Sequence, residues 1–348
     1  MSHLALSILD LVPVRDGQRS SDAVAASIAL ARRADEFGFT RYWLGEHHNV
    51  PSVASTNPAV LLGVLVGHTE RIRLGSGGVM LPSHAPLVIA EQYAALEAAA
   101  PDRIDLGIGR APGSDPIVTA LLQPGGHASN VTRLPEHLQQ IRAMMSPRGA
   151  SLQLSGGGQY SVYATPMAGS SPSLWLLGTS EYSARLAARL GLPYVLAHQT
   201  SEEHTHRLLD LYRAQFEASD QLRAPRALLT VTLVVADSDA DARRLALPQL
   251  QHMARLGSGT SLGPMQTVEA AAHTVLTASQ SELVDGLLEH LFIGETGAVA
   301  ERLAEFAARI GVDEVMIGPA AGGSITDPRD RFPARERTLE LLAARMWR

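Results

Sequence analysis

Short apolar runs alternate along the chain with longer segments in which apolar side chains recur at helical spacing. Leu4-Ala5-Leu6-Ser7-Ile8-Leu9 predicts a strand. Val24, Ile28, Ala31 and Ala34 then share one helical face up to a glycine stop at Gly38, with Ser21 or Asp22 as the expected cap. Thr40 to Gly45 reads as a second strand, running into Glu46-His47-His48, and Asn57-Pro58 opens a helix to about Thr69, with proline suited to its first position. The cadence continues with strands predicted over 72–79, 104–108, 173–177, 194–197, 228–236 and 314–317. Helices are expected over 86–100, 134–145, 181–190, 201–218, 239–256 and 298–310, with others ending near Leu291 and at Met346.

About eight strands separated by helices predict an α/β fold of the (β/α)₈ TIM barrel type, residues 1–348 forming one barrel domain. A doubly wound sheet would need a break in composition between halves, and none is visible. Regions of about 111–133, 146–173 and 257–297 lack the cadence and read as inserted loops.

Composition narrows the chemistry. With 348 residues and 45% hydrophobic content the chain can bury a large core. A net charge of -6 without a basic cluster points away from nucleic acid and anionic membrane, leaving a small molecule as the expected ligand. The sequence has no cysteine and no lysine, which excludes disulfides, thiolate metal sites, Schiff-base lysines and a P-loop lysine. The apolar start, Leu4 to Val14, is interrupted by Ser7 and Asp10 and reads as the first strand of a cytoplasmic protein.

In such a barrel the chemistry sits at the C-terminal strand ends. Glu46-His47-His48 lies at one of them. Adjacent strand residues point to opposite faces, so His47 and His48 are poorly placed to share a metal; acid–base, orienting and purely structural roles stay open. Gly75, Gly77 and Gly78 interrupt the third strand, which suggests a flat ligand lying against bare backbone. Gly107 and Gly109 alternate with apolar residues and lead to Arg110, which can take a phosphate or carboxylate bidentately or form a surface ion pair. Gly178-Thr179-Ser180 precedes a helix, where it can be an anion site or a simple N-cap. Asp10 and His198 are single polar residues at apolar strand ends and read as substrate-pocket lining; His204 and His206 read as a solvated face.

Four ordered motifs carry a family resemblance: Tyr42-Trp43-Leu44-Gly45-Glu46-His47-His48, Gly75-Ser76-Gly77-Gly78-Val79-Met80-Leu81-Pro82, Arg103-Ile104-Asp105-Leu106-Gly107-Ile108-Gly109-Arg110-Ala111-Pro112-Gly113, and Leu176-Leu177-Gly178-Thr179-Ser180. Together they resemble the bacterial-luciferase-like flavin-dependent monooxygenases, in the single-chain oxidoreductase branch. The resemblance implies a barrel that binds reduced FMN at its C-terminal mouth and uses O₂ as co-substrate, with a small-molecule substrate, a separate flavin reductase and a homodimeric assembly. It implies His47 as the active-site histidine and a cis peptide at Gly77-Gly78 beneath the flavin. Phosphate contacts are implied from Arg110 and Ser180, with Thr179 and Ser183 beside them and Ala54 and Gly178 completing the cofactor set. The chain departs from the family pattern where Gln123-Pro124-Gly125-Gly126-His127 replaces an arginine-rich helix start, leaving Arg133 as the candidate second phosphate arginine. Two alternatives stand beside this reading: a deazaflavin (F420)-dependent oxidoreductase transferring hydride, and a non-catalytic flavin-binding protein.

Overall fold

A computed structural model describes residues 4–111, 115–122, 131–198, 201–259 and 262–347. In chain order the strands are β1 (Ala5–Asp10), β2 (Arg41–Leu44), β3 (Arg73–Ser76), β4 (Val79–Met80), β5 (Ile104–Gly109), β6 (Ala150–Gln153), β7 (Gln159–Val162), β8 (Ser173–Leu177), β9 (Tyr194–Ala197), β10 (Ala227–Ala236), β11 (Phe292–Glu295) and β12 (Glu314–Pro319). Eight of them close a parallel barrel in the order β1-β2-β3-β5-β8-β9-β10-β12, with β10 pairing β9 on one side and β12 on the other. This is the predicted (β/α)₈ fold.

The helices follow from capping and apolar spacing. They are α1 (Ser20–Phe37), α2 (Pro58–Val66), α3 (Pro86–Ala99), α4 (Pro116–Leu122), α5 (Leu134–Met144), α6 (Glu181–Arg189), α7 (Glu202–Ala214), α8 (Asp239–Gly257), α9 (Val268–Ala272), α10 (Ala278–His290), α11 (Thr296–Ile310) and α12 (Pro333–Met346). The Asn57 side chain accepts from the Val60 N–H at 3.2 Å ahead of Pro58, as the sequence predicts for α2. The start of α1 differs from expectation: Arg19 holds the N-cap position, and Asp22 sits one turn in, where its carboxylate accepts the Arg19 N–H at 2.9 Å. Among the described residues no helix is long and apolar enough to cross a membrane.

Alternation along the strands sends two sets of side chains in opposite directions. Leu6, Ile8, Tyr42, Leu74, Leu106 and Leu176 face outward into the main core with the helices. Trp43, Trp175, Val195, Leu228 and Met316 face inward and form a separate cluster, in which the two tryptophan rings meet edge to face at 5.5 Å. At the N-terminal end of the barrel Arg41 donates to Asp105 at 2.7 Å and to Glu314 at 2.7 Å, and Arg73 donates to Asp105 at 2.7 Å. Trp43 Nε1 donates to the same Asp105 at 3.1 Å. Buried charges are tolerated only when multiply bonded like this, and the layer seals that end.

This packing corrects the reading of two glycines. A Cβ on Gly75 would lie 2.6 Å from Trp43 Nε1 and 2.7 Å from the Asp105 carbonyl, and one on Gly107 would collide with the Ser76 carbonyl. Both are small because strands and tryptophans crowd the barrel interior, and neither lines the cavity at the strand ends. The structure also adds elements the sequence pattern did not reveal. Residues 146–173 hold the antiparallel hairpin β6–β7, and β11 pairs alongside the C-terminal half of β10.

Candidate active site

A cavity of about 620 Å³ opens at the C-terminal strand ends. Of the predicted site residues, His47, Gly77, Gly78, Arg110, Gly178, Thr179, Ser180, Ser183 and His198 all line it. Asp10 and Ala54 do not. Asp10 is fully buried, spending its oxygens on Arg335, Val12, Ser27 and Tyr42 behind the wall, and the Ala54 N–H bonds the Val12 carbonyl at 2.9 Å. Gln123 to His127, and Pro112 and Gly113, lie outside the described residues. Arg133, the candidate second phosphate arginine, is exposed and engaged with Glu136 at 2.8 and 2.9 Å.

One wall is bare backbone. The Gly77-Gly78 peptide is cis, as the resemblance implies, and a Cβ on Gly78 would lie 2.8 Å from the Gly107 carbonyl. Beside this wall, β2 runs out into Glu46, His47 and His48. Glu46 is buried, and its Oε1 accepts from His48 Nε2 at 2.8 Å and His84 Nε2 at 2.7 Å, while Oε2 accepts the Met80 N–H at 3.0 Å. Burial alone would raise this carboxyl, but the bonds from His84, His48 and Met80 hold it below the ordinary carboxylate range. Adjacent residues diverge as strand geometry requires: His48 turns to Glu46 and His47 to the cavity. His47 Nδ1 has no hydrogen-bond partner among the described residues, and burial lowers the imidazole below its usual range, so the ring is neutral at physiological pH. Among the described residues no group of three or more His, Asp or Glu is placed to hold a metal.

The second wall carries the cation. Arg110 is exposed at the end of β5, and its guanidinium lies 5.0 Å from the centroid of the Tyr182 ring in the first turn of α6. Ser180 caps that helix: its Oγ accepts the Ser183 N–H at 3.4 Å, and Ser183 Oγ accepts the Ser180 N–H at 3.2 Å. The cap and the cation stand together, because the contact with Tyr182 brings Arg110 to the positive end of α6. Among the described residues no carboxylate pairs with Arg110. Gly178 has no room for a side chain, since a Cβ there would overlap Ser183.

The His198 ring lies 4.7 Å from that of Phe306, tilted by 51°, and its Nδ1 meets Thr205 Oγ1 at 2.8 Å. His206 and Glu202 sit 3.7 Å apart on the exposed face of α7, as expected. Sequence reasoning missed Arg335 and His252, which also line the cavity. His252 comes from α8, where its Nε2 lies 3.2 Å from Ser52 Oγ and burial lowers its affinity for a proton. Neither stands at a strand end, so no motif marks them.

A family profile described as luciferase-like monooxygenase matches residues 5–314. The chain belongs to the luciferase-like monooxygenase family. It is 39% identical to YvbT of Bacillus subtilis (strain 168) over 312 residues, 90% of each chain. It is 34% identical to a luciferase-like monooxygenase of Escherichia coli (strain K12) over 339 residues, 97% of each chain. The crystal structure of apo-MsnO8 superposes with a TM-score of 0.84 at 32% identity, covering 99% of this chain and 98% of that one. Two more distant structures share the family's barrel. One is the oxygenating constituent of 3,6-diketocamphane monooxygenase from Pseudomonas putida in complex with FMN (TM-score 0.73, 17% identity, 99% and 98% covered), and the other an F420-dependent secondary alcohol dehydrogenase (TM-score 0.68, 12% identity, 98% and 99% covered).

Proposed function

We propose that this chain is the oxygenase component of a two-component monooxygenase, taking reduced FMN from a separate flavin reductase and using O₂ to oxygenate an organic small molecule. One observation carries the reading: Arg110, free of any described carboxylate, meets the N-terminus of α6 on the same cavity whose other wall is the side-chain-free Gly77-Gly78 backbone. The residues fit a flavin mononucleotide: an anion site at one end, a flat apolar wall at the other, and a cavity within the range that holds cofactors. Bound reduced flavin would supply the electrons that let one atom of O₂ pass to substrate and the other leave as water.

The protein's own share is positioning and protons. Arg110, Ser180 and Thr179 hold the phosphate, with Ser183 fixing Ser180 and Gly178 giving the backbone its close approach. Gly77 and Gly78 admit a ring face. His47, neutral and without a protein partner at Nδ1, takes or gives a proton at the reacting end, while buried Glu46 locks the strand end that presents it. The separate reductase follows from reading the chain as the counterpart of an oxygenating constituent. Exposed Val60 and Val64 on α2, with Leu87 and Val88 on the neighbouring α3, form an apolar stripe suited to a second copy of the chain.

The test supplies photoreduced FMN and ¹⁸O₂ with a panel of ketones, thioethers and aldehydes and seeks ¹⁸O in product by mass spectrometry. Label in product supports the assignment. The shared barrel of the F420-dependent dehydrogenase motivates the second reading, hydride transfer with deazaflavin. Anaerobic turnover of reduced F420 without oxygen incorporation would establish that reading in place of the first. Flavin binding with neither outcome would leave a non-catalytic flavin-binding protein.

A further inference from the structure

Arg110 follows β5, the fourth strand of the barrel, and Arg335 lies in the first turn of α12, after the eighth. The two arginines therefore stand half a barrel apart on one cavity. They are built differently. Arg110 is exposed, whereas the Arg335 side chain is only 7% exposed, its Nε donating to the Pro319 carbonyl at 2.6 Å and its Nη1 to Asp10 Oδ1 at 2.9 Å. Among the described residues nothing accepts from its Nη2, although the side chain lines the cavity. With Nε and Nη1 engaged by the protein, Nη2 is the guanidinium donor left for a ligand in the cavity.

Asp10 says what kind of ligand. Its Oδ1 also accepts the Val12 N–H at 2.9 Å, and its Oδ2 accepts the hydroxyls of Tyr42 at 2.5 Å and Ser27 at 2.7 Å. The carboxylate is thus saturated on its protein side and cancels the charge of Arg335. Thr230 and Thr232 line the cavity here, with Thr232 in register with Gly318 of β12, and burial lowers the proton affinity of His252; the other nearby cation, Arg15, lies over the same Phe332 ring as Arg335 and is already paired with Asp327 at 3.5 Å. A carboxylate arriving here would be a second negative charge beside one cation already matched, whereas a neutral oxygen would accept from Nη2 without adding charge. Phe332, Pro248 and Met265 give the adjoining lining an apolar body.

We propose that Arg335 anchors the substrate through Nη2 to a neutral carbonyl oxygen, that of a ketone, ester or amide, with Asp10 holding the guanidinium in place. The proposal rests on the monooxygenase reading only in calling this ligand the substrate. Its test therefore omits flavin. Ligand-observed NMR titrations of the full chain would use 2-octanone and octanoate at pH 7.5, with FMN binding measured separately by fluorescence quenching. Arg335→Lys keeps a cation for Asp10 but loses the planar fork. The double variant Asp10→Asn with Arg335→Gln removes both charges together, so that no lone buried charge threatens folding.

The wild type is expected to bind 2-octanone more tightly than octanoate. Each variant, folded by circular dichroism, should bind the ketone about tenfold or more weakly, the scale of one charge-assisted hydrogen bond, with FMN affinity unchanged. Preference for octanoate, no binding of 2-octanone, or undiminished ketone affinity in either folded variant would overturn the anchor. Arg335-dependent ketone binding in a protein that takes no FMN would support the anchor and overturn the flavin reading alone.

Discussion

The guanidinium of Arg110 lies over the ring of Tyr182, 5.0 Å from its centroid, so the cation leaving the fourth barrel strand is held against the helix that follows the fifth. The ring sets the direction of an otherwise exposed side chain, and a cation–π contact of this kind is worth about 0.5–1 kcal/mol. Replacing Arg110 by Ala should weaken FMN binding about tenfold to a hundredfold, the scale of a charge-assisted phosphate contact. Tyr182→Ala should weaken it only a few-fold, both read by flavin fluorescence. Equal affinities for wild type and Arg110→Ala would remove the phosphate role.

His47→Ala should retain flavin binding but lower oxygenation with supplied reduced FMN by about 10²-fold or more, the range for a positioned acid–base group. Steady-state rates on any substrate found by isotope incorporation would check this. Unchanged rates would reduce His47 to lining.

Acid should weaken the fold earlier than its carboxylates alone would require. Burial lowers the proton affinity of His47, His137, His198 and His252 below the ordinary imidazole value of 6.5. As pH falls from about 6.5, the unfolded chain takes up these protons first, so stability is full above that pH and is lost on the way down through the lower folded values. Thermal melts from pH 8 to 5 should show a falling Tm below pH 6.5. The drop should shrink in His252→Gln, and a flat profile would contradict the assignment.

Glu46→Gln should destabilise the protein by about 1–3 kcal/mol in urea titration, because an amide cannot accept from both His48 and His84 while also taking the Met80 N–H. The same variant should slow oxygenation through displacement of His47, with FMN affinity changed less than turnover.

Two glycine substitutions separate packing from conformational freedom. Gly107→Ala puts a methyl group against the Ser76 carbonyl, where only backbone can yield, and should cost more than about 3 kcal/mol or prevent folding. Gly156→Ala, with open space around it, should change stability by less than about 0.5 kcal/mol.

Much of this architecture was legible because apolar runs as strong as Leu228 to Ala236 fit little except buried strands. The meeting of Arg110 and Ser180 on one cavity was legible because both follow barrel strands, and strand ends converge in a barrel whatever intervenes. The glycines misled where one letter serves two causes: Gly77 and Gly78 line the cavity while also being crowded by Leu9 and the Gly107 carbonyl, whereas Gly75 and Gly107 do not line it and answer to Trp43, Asp105 and Ser76. The hairpin β6–β7 escaped notice because only its base, the Ala150–Val162 pair, touches the core; Leu152 is 43% exposed and Tyr160 60%, so no apolar alternation marks it. Arg335 could not be found from spacing. Its meaning depends on Asp10, 325 positions earlier, and on the turn of a helix that carries no motif.

The edge-to-face pair of Trp43 and Trp175, stacked on the Arg41–Asp105–Glu314 layer, turns the barrel into a flask with a stoppered base. Whatever enters must do so from the strand-end rim, and whatever is made must leave by it. Cofactor and substrate would then share one doorway, and the order in which they arrive becomes part of the catalytic cycle: a substrate seated first at the Arg335 side would stand in the path of the flavin, whereas a flavin seated first would become the substrate's far wall.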